Sequence, residues 1–192
     1  MKLKIILILF LILPIYSNSQ IYIDSINNNE VKFKQLYNVD LKKDKIRKLV
    51  NKWIAVNFND ANTVIKLDNE DNTILKGTFI VSTPADNVSL KSLIDYTLDV
   101  SYKDNKYKIE FYDLIRYYEI MKDTKKTVDA NTETFEHYNK IRSHKSREEN
   151  QINYDKALKY REAENSQITS YLVNISKTLN EYINKNTKAN DW

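Results

Sequence analysis

Two pairs of residues have the spacing to hold a metal ion. Glu133 and His137 are four apart, as are His144 and Glu148. A continuous helix would bring all four near one stripe, and two imidazoles with two carboxylates make a zinc-type ligand set. Any densely charged segment generates such pairs by chance, so a solvated surface is the plainer account. A second group is carboxylic. Asp95, Asp99 and Glu110 fall on the polar side of two strand-like segments, which suggests a glycosidase-like acid/base pair. Residues four apart on a strand stand about 13 Å from one another, too far for that chemistry. Lysines on neighbouring strands (Lys32, Lys66, Lys76, Lys108) are the expected cross-strand partners of these acids.

The remaining chemistry is bounded by what the chain lacks. It contains no phosphate-cradling glycine loop and no GxSxG, HExxH or EF-hand pattern. It has no cysteine, which removes thiol catalysis, thiolate metal sites and disulfides together. A single glycine gives little room for sharply strained catalytic turns. The sequence therefore predicts a non-enzyme with no catalytic residue, no cofactor and no metal.

The elements that position these residues begin after a leader. MKLKIILILFLILPIYSNSQ has basic Lys2 and Lys4, an apolar run from Ile5 to Leu13, a break at Pro14, and Ser17-x-Ser19 suited to signal peptidase. A retained anchor or a buried core helix is the competing reading, but the run is shorter than the roughly 18 residues a membrane-crossing helix needs. The expectation is a signal peptide over 1–19, with Gln20 as the new terminus and no transmembrane segment left after cleavage. Loss of two lysines lowers the formal charge from +4 to +2. A near-neutral exported chain is a poor nucleic-acid binder. With 192 residues and no disulfide, the chain must rely on an ordinary hydrophobic core.

Residues 20–30 (QIYIDSINNNE) read as a leader loop. From Val31 to Val39 apolar and polar residues alternate, as in a half-buried strand. Asp40 is the expected N-cap of a helix whose stripe is Ile46, Leu49, Val50, Trp53 and Ile54, with Lys45, Arg47, Lys48 and Lys52 as a solvated face. NDAN ends it. Strands then run over Val64–Asp68 and Thr73–Ser82 around the turn NEDN, and over Leu93–Tyr102 and Tyr107–Tyr117 around KDNK. Ile94, Tyr96, Leu98, Val100 and Tyr102 point one way and Asp95, Thr97, Asp99 and Ser101 the other, which gives an antiparallel sheet one covered and one wet face.

Gly77 falls on the apolar side of its strand with Leu75, Phe79 and Val81. A mid-strand glycine marks a bulge or the close approach of something bulky. Trp53, on the buried stripe of the adjacent helix, is the expected occupant, its ring N–H reaching a polar partner.

Residues 123–165 are polar and charged, expected as a partly helical or mobile insertion. Ser166 is the expected N-cap of a last helix over 166–186, whose face of Ile168, Tyr171, Leu172, Ile175, Leu179, Tyr182 and Ile183 must cover the rest of the sheet.

The order β-α-β-β-β-β with a late helix resembles a bacterial exported family of domains of unknown function with a TATA-binding-protein-like fold. The resemblance rests on Trp53 to Phe58, Asp60 to Ile65, the acidic turn at Asn69–Asn72, Lys76-Gly77-Thr78, and Tyr96 to Tyr107. It spans roughly residues 31–118, within an expected domain of 31–122. Asp60 stands where the family has Ser or Asn, and the family's turn glycine is absent. The resemblance implies an α+β fold, a single antiparallel sheet with both helices on one face, and export from a Gram-negative cell to the periplasm or beyond. It carries no catalytic residues. The fold name alone does not carry nucleic-acid binding. Two functions follow as expectations. One is an interaction or structural module with an envelope-protein partner. The other is a carrier of a small apolar ligand between the late helix and the sheet, lined by Tyr96, Tyr102, Tyr107, Tyr171 and Leu172. Trp53, Gly77, Phe79, Tyr96 and Leu98 are the expected structural centre.

Overall fold

A computed structural model describes residues 19–24, 30–85, 88–118, 121–128, 135–142 and 144–187. The expected signal segment, but for Ser19, lies outside the described residues. In chain order the elements are β1 (Ser19–Asp24), β2 (Glu30–Asn38), α1 (Lys43–Asn57), α2 (Ala61–Val64), β3 (Ile65–Asp68), β4 (Asn72–Ala85), β5 (Val88–Lys103), β6 (Lys106–Tyr118), β7 (Met121–Thr127), α3 (Phe135–Ile141) and α4 (Arg147–Thr187). The strands form one antiparallel sheet in the order β1-β2-β6-β5-β4-β3, with β7 pairing the far end of β6. The five expected strands are β2 to β6, and the expected β-α-β-β-β-β order holds. The expected leader loop is instead strand β1, whose Ile21 lies opposite Phe33.

Alternation explains the two faces. Phe33 and Tyr37 of β2, Leu75, Phe79 and Val81 of β4, Ile94, Tyr96, Leu98, Val100 and Tyr102 of β5, and Tyr107, Ile109, Phe111 and Leu114 of β6 are all buried on one side. Strand β6 keeps this pattern only by a bulge. Asp113 has φ 51°, and the register shifts where Tyr112 and Ile115 face Thr97 and Asp95. One extra residue re-aims the chain so that Leu114, not Asp113, continues the buried row after Phe111.

The sequence places the N-cap of α1 at Asp40, but the helix starts at Lys43, and its Ncap Lys42 makes no side-chain cap. Asp104, at the tip of the β5–β6 hairpin, takes that role: Lys43 N–H donates to its Oδ1 at 2.9 Å. Hydrogen bonds from Val39 N–H to Asn105 O (2.9 Å) and from Asn105 N–H to Leu41 O (2.8 Å) fix the tip against the helix entry. Asp60 does cap, but it caps the short α2, with Thr63 N–H donating to Oδ1 at 3.1 Å. The glycine-free turn at 69–72 is an Asx turn, since Asn69 Oδ1 accepts from Asp71 N–H (2.8 Å) and Asn72 N–H (2.9 Å).

The boundary expected at Ser166 does not exist. Helix α4 runs unbroken for 41 residues, and Ser166 is an exposed mid-helix residue whose carbonyl accepts from the Ser170 hydroxyl. Much of the expected charged insertion is therefore regular: β7, α3 and the first half of α4. Within it Tyr138 packs edge-on to Tyr154 at 5.5 Å with Arg142 stacked 3.9 Å over the Tyr138 ring, while Val128 joins the main core. The C-terminal half of α4 buries Ile168, Leu172, Leu179 and Ile183 in the main core beside α1.

Candidate functional site

The expected packing of Trp53 over Gly77 is overturned. Gly77 sits opposite Tyr96 in the β4–β5 register. A β-carbon built there would lie 2.5 Å from Tyr96 Cζ and 2.8 Å from Cε1. The gap is filled from the neighbouring strand, by the directly opposed ring. The period-2 pattern put both residues on one face, and the antiparallel pairing supplies the rest. Trp53 is buried nonetheless, with its ring edge-on to Phe58 at 5.8 Å. Among the described residues no group accepts from its indole N–H.

The residues expected to line a ligand cavity are mostly packed against one another. Tyr96 touches Phe79 and Phe111, at 5.8 and 5.7 Å between ring centres. Tyr107 stacks on Tyr37 at 5.1 Å and donates to Asn180 Oδ1 of α4 at 2.8 Å. Tyr37, Ser176 and Gln35 share buried hydrogen bonds of 2.9 and 2.7 Å. Leu98, Tyr102 and Leu172 are buried in the same core. Tyr171 alone departs from the expectation of burial: it is 39% exposed and lies flat on Phe79 at 3.8 Å. Burial raises the phenol pKa of Tyr96, Tyr102 and Tyr107 well above the ordinary value, so these rings are neutral packing groups and not acids.

Two polar ties lock the helices down. Asp68 at the end of β3 accepts two bonds from Arg47 of α1 (2.9 and 2.8 Å), one from Asn51 (2.9 Å) and one from Thr73 (2.7 Å). The Arg47 fork holds its pKa at about 2, below the ordinary 3.8. At the other end Glu164 of α4 is fully buried, with Arg116 at 2.5 Å and Ser92 donating at 2.5 Å.

Neither α1 nor α4 packs on the opposite sheet face; α2 borders it, with Thr63 and Val64 lining a basin beside Lys76 and Thr78. The acids of this face meet hydroxyl and amide groups as well as lysine. Asp95 accepts from the Thr78 hydroxyl at 2.6 Å, and Asp99 from Asn72 and Ser101 at 3.3 Å each. Lys108 does meet Glu110, at 2.7 Å, but along its own strand. Lys66 donates to the Thr63 carbonyl at 2.5 Å. The residues weighed as a metal stripe do not share one continuous helix: His137 lies on α3, His144 in the turn after it, and exposed Glu148 opens α4. Glu133 lies outside the described residues.

Two basins indent this open face. The first, of about 530 Å³, is bounded by Lys66, Lys76, Thr78, Asp95, Thr97 and Asp113. The second, of about 410 Å³, is bounded by Lys34, Leu36, Ser101, Lys103, Lys106 and Lys108. Sequence reading missed Lys34, Lys103 and Lys106. The signal was available, since their parity along KFKQLYN and YKDNKYK puts them on the wet side around one hairpin.

An antiparallel sheet with two helices on one face and an open second face defines an α+β domain of TATA-binding-protein-like architecture. The sequence profile of the family described as a domain of unknown function (DUF4468) with TBP-like fold matches residues 22–118, just over half the chain, and the chain belongs to that family. Among solved structures it is similar to a TBP-like protein from Parabacteroides distasonis, at 14% identity and TM-score 0.54, over 81% of this chain and 93% of that one. It is also similar to a DUF4468 family protein from Bacteroides ovatus, at 13% identity and TM-score 0.46, over 72% and 90%. No curated protein matches the chain.

Proposed function

We propose that the protein is a non-catalytic, exported interaction module that offers its open sheet face to an envelope-protein partner. The observation that carries this reading is the contrast between the two faces. One is filled by α1, α4 and interlocked aromatic rings; the other is free of both helices, with Asp95 and Asp99 held by hydroxyl and amide groups and Glu110 by Lys108. The carboxylates Asp95 and Asp99 are anchored apart on one strand, which supports a recognition role over acid/base chemistry. Export is supported by the charge and apolar pattern of residues 1–19. Among the described residues no helix is long and apolar enough to cross a membrane.

The carrier reading needs space between α4 and the sheet, where Tyr96, Tyr107 and Leu172 are packed. The test is cross-linking and capture of the exported form from its native envelope, with mass spectrometry of proteins and of extracted small molecules. A saturable protein partner protecting the open face supports the module. A stoichiometric apolar molecule, and no protein, overturns it.

A further inference from the structure

We propose that the lysine-rimmed basin at the β5–β6 hairpin end of the open face is the docking point for a short acidic peptide segment of a partner protein. This rests on the interaction-module reading and names the chemistry of its partner. In the rung that pairs Asn38 with Lys106, Lys106 also faces Lys103 across the hairpin. Like charges directly opposed on a sheet are destabilising, and an arriving anion relieves that repulsion. Among the described residues Lys34, Lys103 and Lys106 form no ion pair. Only Lys108 on this rim has an acid, Glu110.

Three features select the ligand. The cations stand on three adjacent strands, with β6 between β2 and β5, so they span about 10 Å. The floor of the basin is paired strand, unlike the loop and helix N-terminus of a phosphate cradle, and the spread suits several carboxylates better than one small anion. Leu36, 50% exposed and opposite Lys108, adds an apolar contact that an inorganic ion would not use. The basic stretch is also short. The rung of Lys34 contains Glu110 and Asp99 as well, and these acids would repel a nucleic-acid backbone continuing along the face. A flat anionic bilayer, for its part, does not enter a basin.

The test is fluorescence anisotropy with the full chain and a short labelled peptide alternating Glu and Leu. Competitors are the same peptide with Gln for Glu, inorganic phosphate, a DNA duplex, and vesicles of phosphatidylglycerol and phosphatidylcholine. Saturable binding that weakens as salt rises is expected, with at least a tenfold loss in Lys34→Glu/Lys106→Glu. The variant Lys48→Glu/Lys52→Glu on the outer face of α1 changes net charge equally and should bind as the wild type does; thermal melts verify that both variants fold. No binding, equal loss in both variants, or stronger competition by phosphate, duplex or vesicles than by unlabelled acidic peptide overturns the assignment. If the envelope partner is captured equally by the wild type and by Lys34→Glu/Lys106→Glu, the module stands and the basin does not.

Discussion

Gly77 and Tyr96 form a matched pair, since the ring occupies the volume that any other side chain at 77 would need. Gly77→Ala forces the β-carbon into a buried phenol that has little freedom to move. The expected cost is about 1–3 kcal/mol, read from denaturant unfolding. The same substitution in a Tyr96→Leu background should cost clearly less. Equal costs in both backgrounds would mean that Gly77 serves only backbone shape. Asp68 makes a separate prediction. Its folded pKa is depressed to about 2 from 3.8, chiefly by Arg47. Its stabilisation is therefore complete above 3.8 and is lost as pH falls through about 2. The melting temperature of the wild type should drop across that window, and Asp68→Asn should lose the drop. An unchanged pH profile in the variant would show that Asp68 does not carry it.

At the scale of elements, α4 is held to the sheet by apolar packing along its C-terminal half and by Glu164, one turn before that packing begins. Glu164→Ala would take the buried carboxylate away from the Arg116 guanidinium, which is only 11% exposed. Removing one partner of a buried pair costs about 3–5 kcal/mol. Replacing both, as Glu164→Leu with Arg116→Met, should recover most of that. A double variant no better than the single one would point to the Ser92 bond or to other contacts. This tie was not legible in the sequence: Glu164 sits in a charged run, and nothing local marks it as buried. The strands and the stripe of α1 were legible because periods of two and 3.6 are local properties. Caps were read less well. Asp40 has the right chemistry but lies two residues before the Ncap position, and Asp104 supplies the cap from a hairpin far along the chain, which no local rule anticipates.

At the scale of the molecule, the family match ends at residue 118, whereas the helix that closes the core begins at Arg147. A chain ending at Val128 keeps the whole sheet and α1 but exposes Tyr37, Phe79 and Tyr107 to water. It should lose its cooperative thermal transition and associate, as judged by circular dichroism and light scattering, and a peptide of residues 147–187 should restore both behaviours. A monomeric, cooperatively melting truncation would show that α4 is dispensable. The candidate site was half visible from sequence. Alternation revealed a wet face carrying Asp95, Asp99 and Lys108. The lysine basin appears only when register lays β2, β6 and β5 side by side, because its members are distant in the chain.

The turns have one more consequence. Asn69 closes its turn with a side-chain oxygen, while Asn105 at φ 64° and Asp113 at φ 51° take conformations usually left to glycine. Left-handed backbone strains any residue with a β-carbon, and Asn and Asp bear it best because their short polar side chains can hydrogen-bond locally. A protein with no cysteine has no covalent crosslink to narrow its unfolded ensemble. Packing and hydrogen bonds hold the fold without a redox-sensitive link, so oxidising and reducing surroundings should leave its stability alike.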